Sequence, residues 1–385
     1  LDGAVACYRR ALEMNPKLVQ VHINLGNVLN SLGRPDEARL SFDAALALDP
    51  ESGEARWSRA LCLIPGLRET SDELPRSRAA FAAALVDLEG WFDERRAEPG
   101  YRIVGVRQPF WLAYQEENNV ELLRRYGQLC ARLMEPWQRK RAPAPAGSRA
   151  PGRIRVGIVS QYLREHSVWS AILKGWFQQL DGERFELSAF CLSPEEDAET
   201  RYAKSRAARF EHGARPLDQW VDSIVAARPD VLIYPEIGMD PMSVKLAALR
   251  LAPLQAASWG HPETTGLPTI DCYLSAQGME PEGADANYTE ELVALPNLGC
   301  YVQVPTGQPL VDLDDLGIDQ PGPLLICPGT PFKYAPEHDA LYAQIARGLG
   351  DCRLCFFVCG IPELSEKLRR RLARVFAAQG LEFDR

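Results

Sequence analysis

No run of apolar residues in the 385-residue chain is long enough to cross a bilayer, and nothing in it has the pattern of a secretory leader. Clustered Lys and Arg are also missing: the longest basic run is Arg139-Lys140-Arg141, and the net charge is −9. Duplex DNA or an anionic membrane would want a basic patch, so neither is an expected partner. A disulfide framework is excluded by chain length, because such frameworks belong to small secreted scaffolds. The ten cysteines are scattered through apolar stretches, as at Cys191, Cys272 and Cys327, and read as reduced core thiols of a cytoplasmic protein. Disorder is not indicated either, since 46% hydrophobic residues is ordinary globular composition.

What is present begins with a repeat. Pro16 and Pro50 are 34 residues apart, as are Ala4 and Ala38, Tyr8 and Phe42, and Ala11 and Ala45. Leu25-Gly26, Leu29 and Gly33 fill the first-helix and turn positions of the same unit. This is the tetratricopeptide pattern, in which small residues let two helices approach and an aromatic ring fills the gap. Pro closes each unit because it cannot continue a helix. A further unit starts at Gly53 and decays, with Arg59 where a Leu belongs. Repeats are therefore assigned to residues 1–64, and arrays of this kind present a concave surface to a protein partner.

Residues 65–150 read as a helical connector, with helices over 76–98 and 111–140. It closes in the Pro/Ala/Gly-rich linker Arg141-Ala-Pro-Ala-Pro-Ala-Gly-Ser148. From Ile154 the pattern changes to short apolar strands alternating with helices. Strands are expected at Ile154–Val159, Phe185–Leu192, Val231–Tyr234, Gln255–Trp259 and Asp271–Ser275, with helices over 168–180, 198–209, 216–227 and 240–250. Such alternation means βαβ units and a parallel sheet. A second run follows Pro323: strand Leu324–Cys327, a loop, helix Pro336–Leu349, strand Arg353–Val358 and helix Pro362–Gln379. The expected fold class is thus α plus α/β, with Rossmann-like lobes at 151–305 and 320–385, the second incomplete. Two such lobes facing across a cleft make a GT-B core. Both chain ends read as truncations.

Ligands of parallel sheets bind beyond the carboxyl ends of the strands. Lys333 lies on the loop between a strand and a helix expected to start at Pro336, where an ammonium and helix N-terminal amides would suit a phosphate. His166, after the first strand, could position an acceptor hydroxyl or touch a sugar. His261 sits in Gly260-His-Pro-Glu-Thr-Thr-Gly266, whose glycines permit close backbone approach. Cys352, Cys355 and Cys359 mimic a metal spacing, but positions three apart on a strand point to opposite faces. Asp312-Leu-Asp314 mimics a metal–diphosphate motif and reads as a solvated loop. No metal is expected.

These motifs in this order resemble the catalytic region of bacterial O-GlcNAc transferases, with their tetratricopeptide repeats. The likeness rests on Ile154–Ser160 with His166, on Leu251-Ala-Pro-Leu-Gln-Ala256 with the loop Gly260–Gly266, and on Asp271-Cys-Tyr-Leu-Ser275. Cys327-Pro-Gly-Thr-Pro-Phe-Lys333 resembles the family's uridine-diphosphate loop. The resemblance implies a protein glycosyltransferase that moves N-acetylglucosamine from a UDP donor to Ser or Thr with inversion, without cofactor or metal. It implies that Lys333 meets the donor diphosphate, with Thr330 and Phe332 lining that pocket. Trp259, Gly260 and His261 would border the donor, and His166 would lie near the reacting centre as a catalytic residue with Lys333. Arg107 stands where the family carries a histidine, which puts an active-site role there in doubt. Family members also carry a further donor-binding stretch past this chain's end, so the chain alone is expected to turn over poorly. Two other readings remain: a UDP-glucose-dependent Asn glycosyltransferase, and a non-catalytic repeat protein with a vestigial transferase core.

Overall fold

The computed structural model describes residues 1–141, 152–302 and 322–383. Most of the linker expected over 141–148 lies outside the described residues, as do Asp312 and Asp314. Four helices open the chain: α1 Asp2–Met14, α2 Val19–Ser31, α3 Pro35–Leu48 and α4 Gly53–Leu61. Their pairing follows from the small residues. A Cβ on Gly26 would come within 2.6 Å of the Phe42 ring, and Ala38, Phe42 and Ala45 are fully buried. Ser52 caps α4 by accepting from Ala55 N at 3.3 Å, so the degenerate third unit still starts as a helix.

Next come α5 Glu73–Trp91, α6 Glu94–Ala97 and α7 Val120–Arg141. The helix expected from 111 begins instead as a 3-10 turn over Phe110–Tyr114. Asn118 then accepts from Val120 N at 2.9 Å through its side chain, a local turn that restarts the chain as α7.

Seven strands follow: β1 Ile154–Ser160, β2 Phe185–Cys191, β3 Arg209–His212, β4 Val231–Tyr234, β5 Leu254–Ser258, β6 Cys272–Ala276 and β7 Glu291–Leu295. They form one parallel sheet in the order β3-β2-β1-β4-β5-β6-β7. The helices between them are α8 Lys174–Gln179, preceded by a π turn at Trp169–Leu173, α9 Ala198–Arg206, α10 Leu217–Ala227 and α11 Pro241–Ala247. Trp169, Phe177, Leu187 and Ala189 are among the buried residues under one face. The five expected strands are all present. The two outer ones, β3 and β7, have no counterpart in the sequence reading, which ran a helix through 209. β3, Arg209–His212, is an edge strand of mixed polarity and lacks the apolar run of a strand covered on both faces, whereas β7 carries the apolar run Leu292–Leu295, which the sequence reading passed over.

The chain continues with β8 Leu324–Cys327, α12 Asp339–Leu349, β9 Arg353–Phe356 and α13 Pro362–Ala378, where β8 and β9 pair in parallel. Repeat helices and seven-stranded parallel sheet together agree with the expected α plus GT-B-type architecture. By compactness, residues 1–84 go with 322–383 and residues 85–302 stand as a second unit. In the first unit, Arg371 on α13 is 2% exposed and binds Asp339 Oδ2 at 2.6 Å, the Arg68 carbonyl at 2.6 Å and the Tyr334 carbonyl at 2.7 Å. Lys367 donates to the Leu67 carbonyl at 3.1 Å. The loop after the repeats is thus fastened to the second α/β part by backbone acceptors that a guanidinium and an ammonium can reach at once. All ten cysteines are unpaired thiols, four of them buried. Among the described residues no helix is long and apolar enough to cross a membrane.

In the second unit α7 lies directly on the loop after β5. A Cβ on Gly127 would come within 2.2 Å of the Gly266 carbonyl, and one on Gly266, where φ is +67°, within 1.9 Å of the Leu123 carbonyl. Gly266→Ala is therefore expected to cost about 2–4 kcal/mol, from backbone strain and a backbone clash together. The control is Gly182→Ala, whose Cβ meets nothing within 4 Å. Equal melting temperatures for the two variants would contradict this account of the α7 contact.

Candidate functional site

Strand order reverses between β1 and β4, so the loops leaving their carboxyl ends part and open a crevice. Three loops border it or lie next to it: Gln161–His166 after β1, Pro235–Gly238 after β4 and Trp259–Gly266 after β5. Gly260 permits the last two to touch, since a Cβ there would stand 2.6 Å from the Pro235 carbonyl. Gly238, with φ +104°, lies against the His261 ring in the same way, since a Cβ there would stand 3.1 Å from Nδ1.

At this junction lies Glu236, which is 1% exposed. Its Oε1 accepts from Gln161 N at 2.8 Å, and the Ser160 hydroxyl donates to the carboxyl. Oε2 is buried and has no partner among the described residues. Burial pushes the carboxyl up to about 8, against the two hydrogen bonds and with some help from the Asp240 carboxylate. Glu236 is thus largely a neutral acid at pH 7.

His166 stacks on Tyr162 with ring centroids 3.9 Å apart and planes 19° from parallel. Val168 N donates to His166 Nδ1 at 3.2 Å. That bond assigns the proton of the neutral ring to Nε2. Burial, and then the Arg164 charge, hold its pKa below the usual value. With Nδ1 occupied, this imidazole is suited to donate through Nε2–H to an oxygen and poorly suited to take a proton.

His261 is 7% exposed, and burial depresses it to about 4, so it is neutral as well. Its ring packs on Phe110 at 5.2 Å, its carbonyl accepts from the Tyr273 hydroxyl at 2.9 Å, and Nε2 is buried without a partner among the described residues. Trp259 Nε1 is likewise buried and unpartnered among the described residues. Buried polar atoms are rarely left so, and two of them on residues flanking Gly260 mark the β5 loop as a place where a polar ligand or water belongs. The loop itself is held firmly. Buried Glu290 accepts from the Thr264 hydroxyl at 2.6 Å, from Thr265 N at 2.9 Å and from the Thr265 hydroxyl. Asn119 donates to Glu263 at 2.7 Å.

The remaining expected residues lie in the other unit, on the loop after β8. Thr330 has a buried hydroxyl without a partner among the described residues, Phe332 is half-buried, and Lys333 is exposed at the end of a 3-10 turn, Pro331–Lys333. The helix expected at Pro336 starts only at Asp339, after a second 3-10 turn at Pro336–His338. The Asp339 carboxylate, tied to Arg371, already answers its N-terminal charge. The α12 amides thus begin three residues later than the sequence suggested, with the Asp339 carboxylate at their N-terminus. Among the described residues no group of three or more His, Cys, Asp or Glu could hold a metal.

Sequence reading passed over Glu236 and Glu290. The signal for Glu236 was a carboxylate two residues beyond the apolar strand Val231–Tyr234, where a strand end meets a crevice. Glu290 gave none, because its partners lie 25 residues away in the chain.

The fold and these loops define a tetratricopeptide-bearing α/β protein with the architecture of the O-GlcNAc transferases. Residues 1–53 and 23–88 match the tetratricopeptide repeat family. A mutant O-GlcNAc transferase of Thermobaculum terrenum superposes with a TM-score of 0.65 at 22% identity, covering 98% of this chain and 69% of its own. The tomato (Solanum lycopersicum) protein named probable UDP-N-acetylglucosamine–peptide N-acetylglucosaminyltransferase SPINDLY is 32% identical over 146 residues. The match takes in 36% of this chain and 14% of the tomato protein. The Arabidopsis thaliana protein of the same description named SEC is 25% identical over 283 residues, 69% of this chain and 28% of its own length. The chain thus spans under a third of these two curated relatives. The resemblance read from the motifs and the relatives found by comparison agree.

Glu236 makes a pH prediction with a definite sign. Its folded pKa of about 8 lies above the ordinary 4.5, so the folded state holds the proton longer, and stability drains as pH rises across that window. Glu236→Gln removes the titration. The variant is expected to match the wild type near pH 5 and to exceed it at pH 8.5 by on the order of 2–4 kcal/mol. His261 works in the opposite direction, with stability lost as pH falls from 6.5 towards 4, and it cancels in the wild-type-to-variant difference. Melting curves of both proteins at the two pH values decide it. A gap that does not widen with pH would mean that Glu236 is not a buried neutral acid.

Proposed function

We propose that this chain is part of a protein glycosyltransferase that transfers N-acetylglucosamine from a UDP donor to Ser or Thr hydroxyls of proteins, with inversion and without a metal. The observation that carries the reading is the reach of the likeness. Repeats recur in unrelated proteins, but the match to the SEC protein takes in 69% of the chain, well past the repeat match that ends at residue 88. The likeness therefore includes the α/β part, where a reaction would take place.

In this reading the exposed Lys333 ammonium meets charge that grows on the leaving diphosphate as the glycosidic bond breaks. The Thr330 hydroxyl and the Phe332 ring line the same donor pocket. Trp259, Gly260 and His261 border the donor sugar, where unpartnered Nε1 and Nε2 atoms suit hydroxyl groups. His166 donates Nε2–H to an oxygen close to the reacting centre. Repeat helices α1–α4 supply the surface for the protein acceptor.

Incubation of the longer protein to which this chain belongs with UDP-N-acetylglucosamine and candidate acceptor proteins, followed by intact mass, is the direct test. Mass gain is expected on Ser/Thr acceptors, unchanged by a chelator, and UDP-glucose should be the poorer donor. Lys333→Ala is expected to lower the rate by about 10²–10³-fold, the size found when one preorganised charge stabiliser is removed. Intact donor with no mass gain on any acceptor would defeat the proposal, and an unchanged Lys333→Ala rate would remove Lys333 from it.

A further inference from the structure

We infer that Glu236 is a positioning residue for His166, holding the turn after β1 from the end of β4 so that the imidazole presents one fixed edge. The inference rests on the reading that His166 takes part in the transfer.

The connection can be followed atom by atom. Glu236 takes Gln161 N and the Ser160 hydroxyl on its carboxyl. Ser160 Oγ in turn accepts from Tyr162 N at 2.9 Å. The Glu236 carboxyl thus fixes two successive amides, one directly and one through a hydroxyl, at the point where the chain leaves β1. The next side chain, Tyr162, is the platform on which His166 stacks. Val168 N fixes the ring from its other side at Nδ1. From β5, Gly260 presses on Glu236 itself, since a Cβ there would lie 3.1 Å from Glu236 Cβ. The carboxyl has little room to move, and neither does the turn that it holds.

Stability alone does not account for this group. A buried carboxyl with one oxygen unpartnered and, among the described residues, no cation paired with it costs more than an apolar side chain of similar volume. The strand-end crevice is also where such a cost would serve ligand geometry and not packing. What the turn needs is an acceptor oxygen, not a charge, so glutamine should serve in its place and leucine should not.

The test compares Glu236→Gln with Glu236→Leu in protein carrying labelled histidine rings, with the His166 signal assigned by loss in His166→Asn. In the wild type the His166 ring proton is displaced by the Tyr162 ring current. Expected is an undisturbed signal and near wild-type transfer in Glu236→Gln. In Glu236→Leu the signal should move towards that of an unstacked imidazole and kcat should fall about tenfold or more at nearly constant donor KM. Should Glu236→Leu fail to fold, Ser160→Ala removes the relay hydroxyl alone and is expected to move the same signal. A folded Glu236→Leu with unchanged His166 signal and unchanged kcat would overturn the inference. A displaced signal in Glu236→Leu from a protein that transfers no sugar even as wild type would support the positioning and defeat only the transferase reading.

Discussion

The reversal of strand order between β1 and β4 is the constraint on which the larger unit depends. Parallel strands must be joined by crossovers on the faces of the sheet, and the crossovers run one way from β1 towards β3 and the other way from β4 towards β7. Only at that seam do neighbouring strand ends release their loops in opposite directions. Backbone amides of the first loop are left without strand partners there, and Glu236 supplies an acceptor for Gln161 N. The electrostatics of the site follow from the same burial. Desolvation makes Glu236 a neutral acid and leaves His166 and His261 as neutral imidazoles. A site so composed interacts through hydrogen bonds, which suits hydroxyl-rich ligands.

Rigidity is the second theme, and it has two different sources. In the unit of residues 85–302, it comes from close backbone approach. Gly127 and Gly266 bring α7 against the β5 loop, and Glu290 gathers Thr264 and Thr265 from the far side. Trp259, Gly260 and His261 are thus presented on a loop fixed at its far end by α7 and by a buried carboxylate, the support that a binding geometry requires. In the unit that holds the repeats, rigidity comes from one buried guanidinium. Arg371 satisfies Asp339 and two carbonyls at once, one of them in the loop after α4. Removing it would leave the Asp339 carboxylate buried and alone, which is costlier than never having had the pair.

Much of the fold was legible beforehand because its signals are local. The offset between Tyr8 and Phe42, with Gly26 between them, gave the repeat, and Phe42 does pack on Gly26. Central strands announced themselves as apolar runs because they are covered on both faces. Where a residue's role depends on a distant partner, sequence reading failed or fell short. Strand β3 is a half-exposed edge of mixed polarity without an apolar run. Asn118 set the start of α7 by a side-chain bond to the helix's first amide. Asp339, not Pro336, begins α12.

For the candidate site the division is sharper. Sequence by itself determined the residue types at the strand ends, namely His166, the Gly260–Gly266 loop and the Thr330–Lys333 loop, because position after an apolar strand is a one-dimensional property. Tertiary structure decided their chemical states. Whether a histidine is neutral, which of its nitrogens carries the proton, and whether a glutamate keeps its own proton at pH 7 all depend on burial and on partners far away in the chain. Glu236 lies 75 positions from the amide that it holds, and no pattern along a chain records the desolvation that only folding imposes.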